Sequence, residues 1–500
     1  MLRPHGFSIM TKHYIACDLG AESGRVMLGR LADGKLTLEE VHRFPNHAIR
    51  VANSMRWNVL GIFEHLKEGL RILAQRGISA AGLSVDSWGV DYVWMGAGQP
   101  MLGVPHHYRD PRTTAPYQNA LENIGRETIF GETGIQFMQL NTMYQMLADV
   151  EQCPELIKLA DRFLTIADYL NYLFSGVAKC EVSLASTTQL YNPVAGNWSD
   201  KLIEACGLPR DAFPEIVASG TVLGSLTEEV QAETKLAAAQ VIATCSHDTG
   251  AAVAAVPGEG EEWAYLSSGT WSLIGVELPE PLISEKARTE NFTNEAGFGG
   301  TTRFLKNIIG LWLLQECRRS WERDGVCHDY AELNQMAEAS EPFRSLVNPN
   351  DNRFLQPPDM PAAIVDYCHS TSQPVPETPG QFTRCILESL SLLYGKSLGI
   401  LEELTGRTIR QLHIVGGGSQ STLLNQFAAN ATGRTVVAGP VEATAIGNVL
   451  IQAIALGDIR DLVELRQVVR NSLPVEYYHP QPSPELQSAI ERFSDLRARR

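Results

Sequence analysis

One short pattern occurs twice in this chain, and it limits the fold more than any other feature. Near the start, "IACDLGAESGRVMLGRL" (residues 15–31) sets the apolar run Tyr14-Ile15-Ala16-Cys17 before a turn of small residues, and the turn before a second apolar run, Val26–Leu31. Much later, "AYLSSGTWSLIGVEL" (residues 264–278) repeats strand, turn and strand, with a turn of nearly the same length. Self-similarity of this kind marks two halves built on one plan. A length of 500 residues also exceeds what one hydrophobic core usually supports. The glycine and acid stretch Pro257-Gly258-Glu259-Gly260-Glu261-Glu262 precedes the second copy and is the natural boundary. The expected domains are therefore 1–256 and 257–500.

The runs Tyr14–Cys17, Val26–Leu31 and Leu36–Phe44 read as an antiparallel meander. Residues 61–76, with Ile62, Leu66, Leu70 and Leu73 at helical spacing, predict a helix, and Ala80–Val85 a buried strand. Helices are expected over 155–160 and 168–173, the latter capped at Ser175-Gly176. The second half restarts this order. Val241–Thr244 is a strand running into Ser246–Gly250, Ala251–Val256 a small-residue helix, and "QLHIVGGGSQSTLLNQFAANATG" a strand, a triple glycine and a helix over 421–431. The class is α/β.

Three turns of small residues follow apolar strands: Asp18–Arg25, Ser267–Thr270 and Gly416–Gln420. Each alone is an ordinary change of chain direction. Together they point to phosphate binding, because small residues leave backbone N–H groups open to an anion and a helix start adds positive potential. The usual phosphate loop is excluded, since no turn ends in Gly-Lys-Ser/Thr. Gly416–Gly418 lacks the spacing of a dinucleotide-binding fingerprint, which disfavours hydride chemistry. A formal charge of -16 argues against nucleic acid or an anionic membrane as partner. No apolar run reaches the ~18 residues of a membrane span, and the start lacks a secretory signal, so a cytoplasmic location is expected. Nine cysteines without a Cys-x-x-Cys pair argue for reduced thiols, and Cys327-His328 and Cys368-His369 supply too few ligands for a metal.

The segments "DLGAESGR", "SVDSWGVDYV", "YRDPRT", "SHDTGAAVA", "YLSSGTWSLIG", "FLKNIIGLWLLQ", "HIVGGGSQSTLLNQ" and "GPVEATAIGN" stand in the order and spacing of the FGGY carbohydrate kinases, which the chain resembles along nearly its whole length. The resemblance implies an actin-like ATPase fold, two ribonuclease-H-like domains with a ligand cleft between them, the first on the sugar side and the second on the nucleotide side. It implies ATP and Mg²⁺ as cofactors and a small-molecule sugar as partner, in a monomer or homodimer. "DSWGVD" and "GPVEA" lean toward L-rhamnulose as the acceptor, phosphorylated at its 1-hydroxyl; L-fuculose, xylulose and ribulose are the alternatives. A non-catalytic sugar or nucleotide sensor on the same scaffold is a further alternative.

By the same resemblance Asp248 is the general base, the carboxylate that accepts the hydroxyl proton as the bond to phosphorus forms; the competing reading makes it the N-cap of the helix that follows. Asp18 orients hydrated magnesium. Gly89, His247, Asp248, Thr249 and Asn307 contact sugar, and Trp88 covers a sugar face or belongs to the core. Ala21, Glu22, Ser23, Gly24, Arg25 and Thr270 contact phosphates, Gln315 and Gly417 line the nucleotide site, and Asn425 approaches adenine. Two positions depart from the family pattern, Glu22 and Ser419, and the acid at Glu22 points to altered ATP affinity. Residues 1–12 precede the family's usual start, making Met10 an alternative initiator to Met1.

Overall fold

A computed structural model describes residues 11–481 and 483–498; Met10, the alternative initiator, lies outside the described residues. The chain gathers into two compact units. One takes in the chain up to Pro257, Glu277–Phe304 and Ala443–Ser472, and the other Gly258–Val276, Leu305–Glu442 and the chain from Leu473 onward.

The first unit is built on a six-stranded sheet in the order Thr221–Ser225, Gln240–Ala243, Gly82–Ser87, Lys12–Leu19, Ser23–Ala32, Lys35–Pro45. The expected meander is present: Lys12–Leu19, Ser23–Ala32 and Lys35–Pro45 pair antiparallel in sequence order. Lys12–Leu19 also runs parallel to Gly82–Ser87, and that strand parallel to Gln240–Ala243. Gly82–Ser87 is buried at every position, as a central parallel strand covered on both faces must be. Lys35–Pro45 is an edge strand and keeps charged residues toward water. Helix Val59–Gln75, N-capped by Asn58, lays Val59, Ile62, Leu66, Leu70 and Leu73 on the core formed with Ile15, Cys17, Val26 and Leu28. Each such fully buried side chain contributes about 1.5–3 kcal/mol.

In the second unit, Trp263–Ser268 pairs antiparallel with Trp271–Leu278 and parallel with Gln411–Val415, which is parallel to Thr435–Ala438. Glu476–Tyr478 adds an antiparallel strand beyond it. The polarity around the first strand is the same in both sheets. The two copies of the sequence pattern thus occupy equivalent strands, so the repeat is one of topology.

Element boundaries shifted where pairing overrode side-chain character. The second hairpin strand begins at Ser23 rather than Val26, because the ladder continues to the turn through Leu19 opposite Gly24 and Asp18 opposite Arg25. The helix expected from Ala251 begins at Asp248. Residues 160–165 form an unforeseen strand that pairs with Tyr92–Gly96. Among the described residues no helix is long and apolar enough to cross a membrane.

Candidate active site

Asp18 and Arg25 face each other across the first hairpin, and the Arg25 guanidinium donates to the Asp18 carboxylate. The turn between them is held from outside. Asn46, directly after the third strand, donates its backbone N–H to the Glu22 carbonyl (2.9 Å) and its side-chain amide to the Gly20 carbonyl (2.8 Å). Nothing in the sequence marked Asn46.

On the neighbouring parallel strand Asp86 stands opposite Asp18. It is fully buried. Its Oδ2 accepts from Asn448 Nδ2 at 2.5 Å, while its Oδ1 has no hydrogen-bond partner among the described residues. Burial, followed by the charge of Asp18, drives the Asp86 pKa well above the usual carboxylate value. Asn448 is fixed in turn by Gln452, whose amide donates to both Asn448 Oδ1 (2.7 Å) and the Ile15 carbonyl (3.0 Å). The segment "GPVEATAIGN" therefore supports the acids of the first sheet through helix Ala443–Ala455.

Asp248 is brought to this sheet by the turn after Gln240–Ala243, which is tied down by Ser87 N–H to the Ser246 carbonyl (2.9 Å), Ser246 N–H to Glu181 Oε2 (3.0 Å) and His247 N–H to Ser183 Oγ (3.0 Å). His247 is the N-cap residue and Asp248 the first residue of the helix, which corrects the reading of Asp248 as the cap. Asp248 Oδ1 accepts from Thr249 N–H (2.5 Å) and Thr249 Oγ1 (3.1 Å), and Oδ2 makes no hydrogen bond within the described residues. Burial raises the Asp248 pKa, with the charge of Asp18 adding to the rise and His247 and Thr249 opposing it. A carboxylate held in this way, with one oxygen saturated and the other open, is equipped to take a proton.

His247 Nδ1 lies 3.1 Å from Arg303 Nη2, and its Nε2 lies 3.5 Å from Asp248 Oδ1. Neither Arg303 nor its neighbour Glu295 carries a sequence signal. Gly89 ends the stretch after Gly82–Ser87; a Cβ there would come within 3.1 Å of Thr187 Oγ1. Trp88 is a core residue, packed 4.1 Å from the Trp57 ring and donating to Asp91 (2.9 Å).

In the second unit two small-residue turns lie against each other. Gly418 packs so closely on the Ser267–Thr270 turn that a Cβ would sit 2.0 Å from Ser268 Oγ, whereas a Cβ on Gly417 would meet nothing within 4 Å. Gly417 is thus the open member of the triple glycine. The Thr270 carbonyl accepts from the N–H groups of Gly310 (3.1 Å) and Trp312 (3.2 Å), which anchors the start of helix Trp312–Arg323. That helix carries Gln315, whose Oε1 is buried without a partner among the described residues. Asn307 lies on strand Thr302–Ile309. Asn425, expected near adenine, is fully buried and donates to the Ser419 carbonyl (2.8 Å), so it holds the glycine turn in place.

All nine cysteines are free, and the described residues contain no cluster of three or more His, Cys, Asp or Glu able to hold a metal. Magnesium does not need one, because it keeps most of its water and takes one or two carboxylates. Asp18, with the unpartnered Asp86 Oδ1 opposite it, offers hard oxygens that fit such a hydrated ion.

Residues 13–255 match the N-terminal domain, and residues 264–456 the C-terminal domain, of the FGGY family of carbohydrate kinases. The rhamnulokinase of Bacteroides thetaiotaomicron is 45% identical over 486 residues, 97% of this chain and 99% of that protein. The rhamnulokinase of Ligilactobacillus salivarius is 42% identical over 94% of this chain and 96% of its own length. A xylulose kinase from Lactobacillus acidophilus, solved with bound ligand, superposes with a TM-score of 0.81 over 97% of this chain and 98% of its own at 16% identity, a likeness of fold that fits the actin-like ATPase architecture. With both halves matched and full-length relatives above 40% identity, the chain belongs to the FGGY family of carbohydrate kinases.

Proposed function

We propose that the chain transfers the γ-phosphoryl group of ATP to L-rhamnulose, giving L-rhamnulose 1-phosphate. FGGY sugar kinases use ATP, and the full-length relatives just described bear the name rhamnulokinase. The observation that carries the catalytic reading is the Asp248 carboxylate, oriented at Oδ1 and open at Oδ2. Oδ2 accepts the proton of the sugar hydroxyl as its oxygen bonds to the γ-phosphorus. The bond from that phosphorus to the bridging oxygen breaks, and ADP departs with the electron pair. No covalent enzyme intermediate forms.

In this reading Gly89, His247, Thr249 and Asn307 contact the sugar. Ala21, Glu22, Ser23, Gly24, Arg25 and Thr270 face phosphates, and Gln315 and Gly417 line the nucleotide site. Asp18 would orient hydrated Mg²⁺, which when bound neutralises phosphate charge. The sugar side is assigned to 1–256 and the nucleotide side to 257–500, in a cytoplasmic monomer or homodimer. A non-catalytic sensor would have no use for a carboxylate held open in this manner.

A panel of ketoses and glycerol with coupled ADP detection tests the assignment. L-rhamnulose should give the highest kcat/KM; turnover of xylulose or glycerol without L-rhamnulose rejects it.

A further inference from the structure

Arg303 is a fully buried cation placed directly behind the turn that carries Asp248. Its Nε donates to the Ala296 carbonyl (3.0 Å), and its Nη2 lies 3.2 Å from Glu295 Oε2 and 3.1 Å from His247 Nδ1. Guanidinium has only donors. Glu295 Oε2 approaches the same nitrogen at 3.4 Å, but the shorter contact, 3.1 Å from Arg303, is the one with hydrogen-bond geometry and calls for a lone pair on Nδ1, which places the imidazole proton on Nε2. Nε2 is the nitrogen facing Asp248 Oδ1, at 3.5 Å.

We propose that Glu295 and Arg303 are positioning residues that fix His247 as the neutral Nε2–H tautomer and so keep Asp248 ready to act as base. The inference rests on the role given above to Asp248. Two donors from Thr249, its N–H and Oγ1–H, then bind Oδ1, and the Nε2–H of His247 faces the same oxygen at 3.5 Å. They favour the anion against burial and the charge of Asp18, leaving Oδ2 for the substrate proton. The opposite tautomer would turn a lone pair toward Oδ1, hold Asp248 protonated to higher pH and weaken the base. Glu295 supplies the charge that lets Arg303 remain buried, 3.2 Å from Nη2 and 3.4 Å from His247 Nδ1.

Nitrogen-15 NMR of the histidine-labelled full chain, with the His247 signals assigned by their loss in His247→Asn, reads the tautomer without any turnover. The result expected near neutral pH is a protonated Nε2 and an unprotonated Nδ1; a protonated Nδ1 overturns the proposal. Kinetics give the second arm. Arg303→Met alone would strand Glu295 in the core, so it is paired with Glu295→Gln to keep the site neutral. The double variant should lose about 10-fold or more in kcat, short of the ~10²–10⁴-fold expected for loss of the base itself. Its KM for ATP should hold, the acid limb of its pH–rate profile should move to higher pH, and Arg303→Lys should recover most of the activity. A folded double variant with an unmoved pH profile and wild-type tautomer makes the pair merely structural and rejects the inference. Failure of the kinase assignment would show instead in the ketose panel and leave the NMR result standing.

Discussion

Asparagine at 248 can accept both hydrogen bonds that Thr249 now gives to Oδ1, but it cannot take a proton at neutral pH. Asp248→Asn is therefore expected to melt close to wild type and to bind sugar, while turnover falls by roughly 10²–10⁴-fold. Melting, sugar calorimetry and coupled ADP release on one preparation check this; near-normal turnover in a folded protein removes Asp248 as base. Residues at this scale were legible unevenly. Asp18 sits near a strand end and Asp248 at a helix start, both beside small residues, where a polar side chain has no core reason to be. Asp86 is embedded in the buried run "GLSVDS" and looked like part of a strand. The partners that hold these acids come from afar: Asn448 reaches Asp86 across 362 positions, and Arg303 reaches His247 across 56. No local pattern encodes such pairings.

At the scale of elements, the placement of the catalytic turn depends on how closely two helices approach. A Cβ on Gly447 of helix Ala443–Ala455 would come 1.9 Å from the Ala251 carbonyl oxygen in helix Asp248–Ala254, a contact with backbone that no side-chain rotation relieves. Gly447→Ala should destabilise the protein by about 1–3 kcal/mol and lower kcat as the Asp248 helix is displaced. Gly399 is the contrast: it lies inside helix Pro379–Thr405, and nothing stands within 4 Å of an added Cβ. Gly399→Ala should stabilise by about 0.5–1 kcal/mol through helix propensity alone. Urea denaturation of both variants measures the difference; equal effects would mean that the helices part without cost. The strong periodicities, such as Ile62, Leu66, Leu70 and Leu73, gave their helix directly, since burial of one face sets that spacing. The 160–165 strand left no such trace, because its order comes from pairing with Tyr92–Gly96.

For the molecule as a whole, acids buried away from the hairpin set how stability responds to pH. Burial lifts Asp91 to about 6, Asp168 to about 7 and Glu388 to about 7, from ordinary values of 3.8, 3.8 and 4.5. Each folded pKa lies above its unfolded value, so the stability tied to the bound proton is complete below the unfolded pKa and is lost as pH rises through the folded one. Melting temperature should accordingly fall between about pH 4 and 7. Asp168→Asn keeps one acceptor oxygen, which in the place of Oδ2 can serve both Thr165 Oγ1 and Glu181 N–H, but it cannot ionise, and its melting temperature should fall less steeply over that range. Parallel slopes for the two proteins would show that the Asp168 proton contributes nothing. The sequence by itself determined the α/β class, the duplicated plan, the candidate acids Asp18 and Asp248 and the family, since these depend on local patterning and on motifs kept in order. Tertiary structure alone decided that residues 443–472 return to the first unit, that Asn448 and Arg303 hold Asp86 and His247, and that Gly418 and Gly447 permit close approach. The physical reason is that these features depend on distance in space between segments far apart in the chain, and such distances exist only once the two sheets have formed.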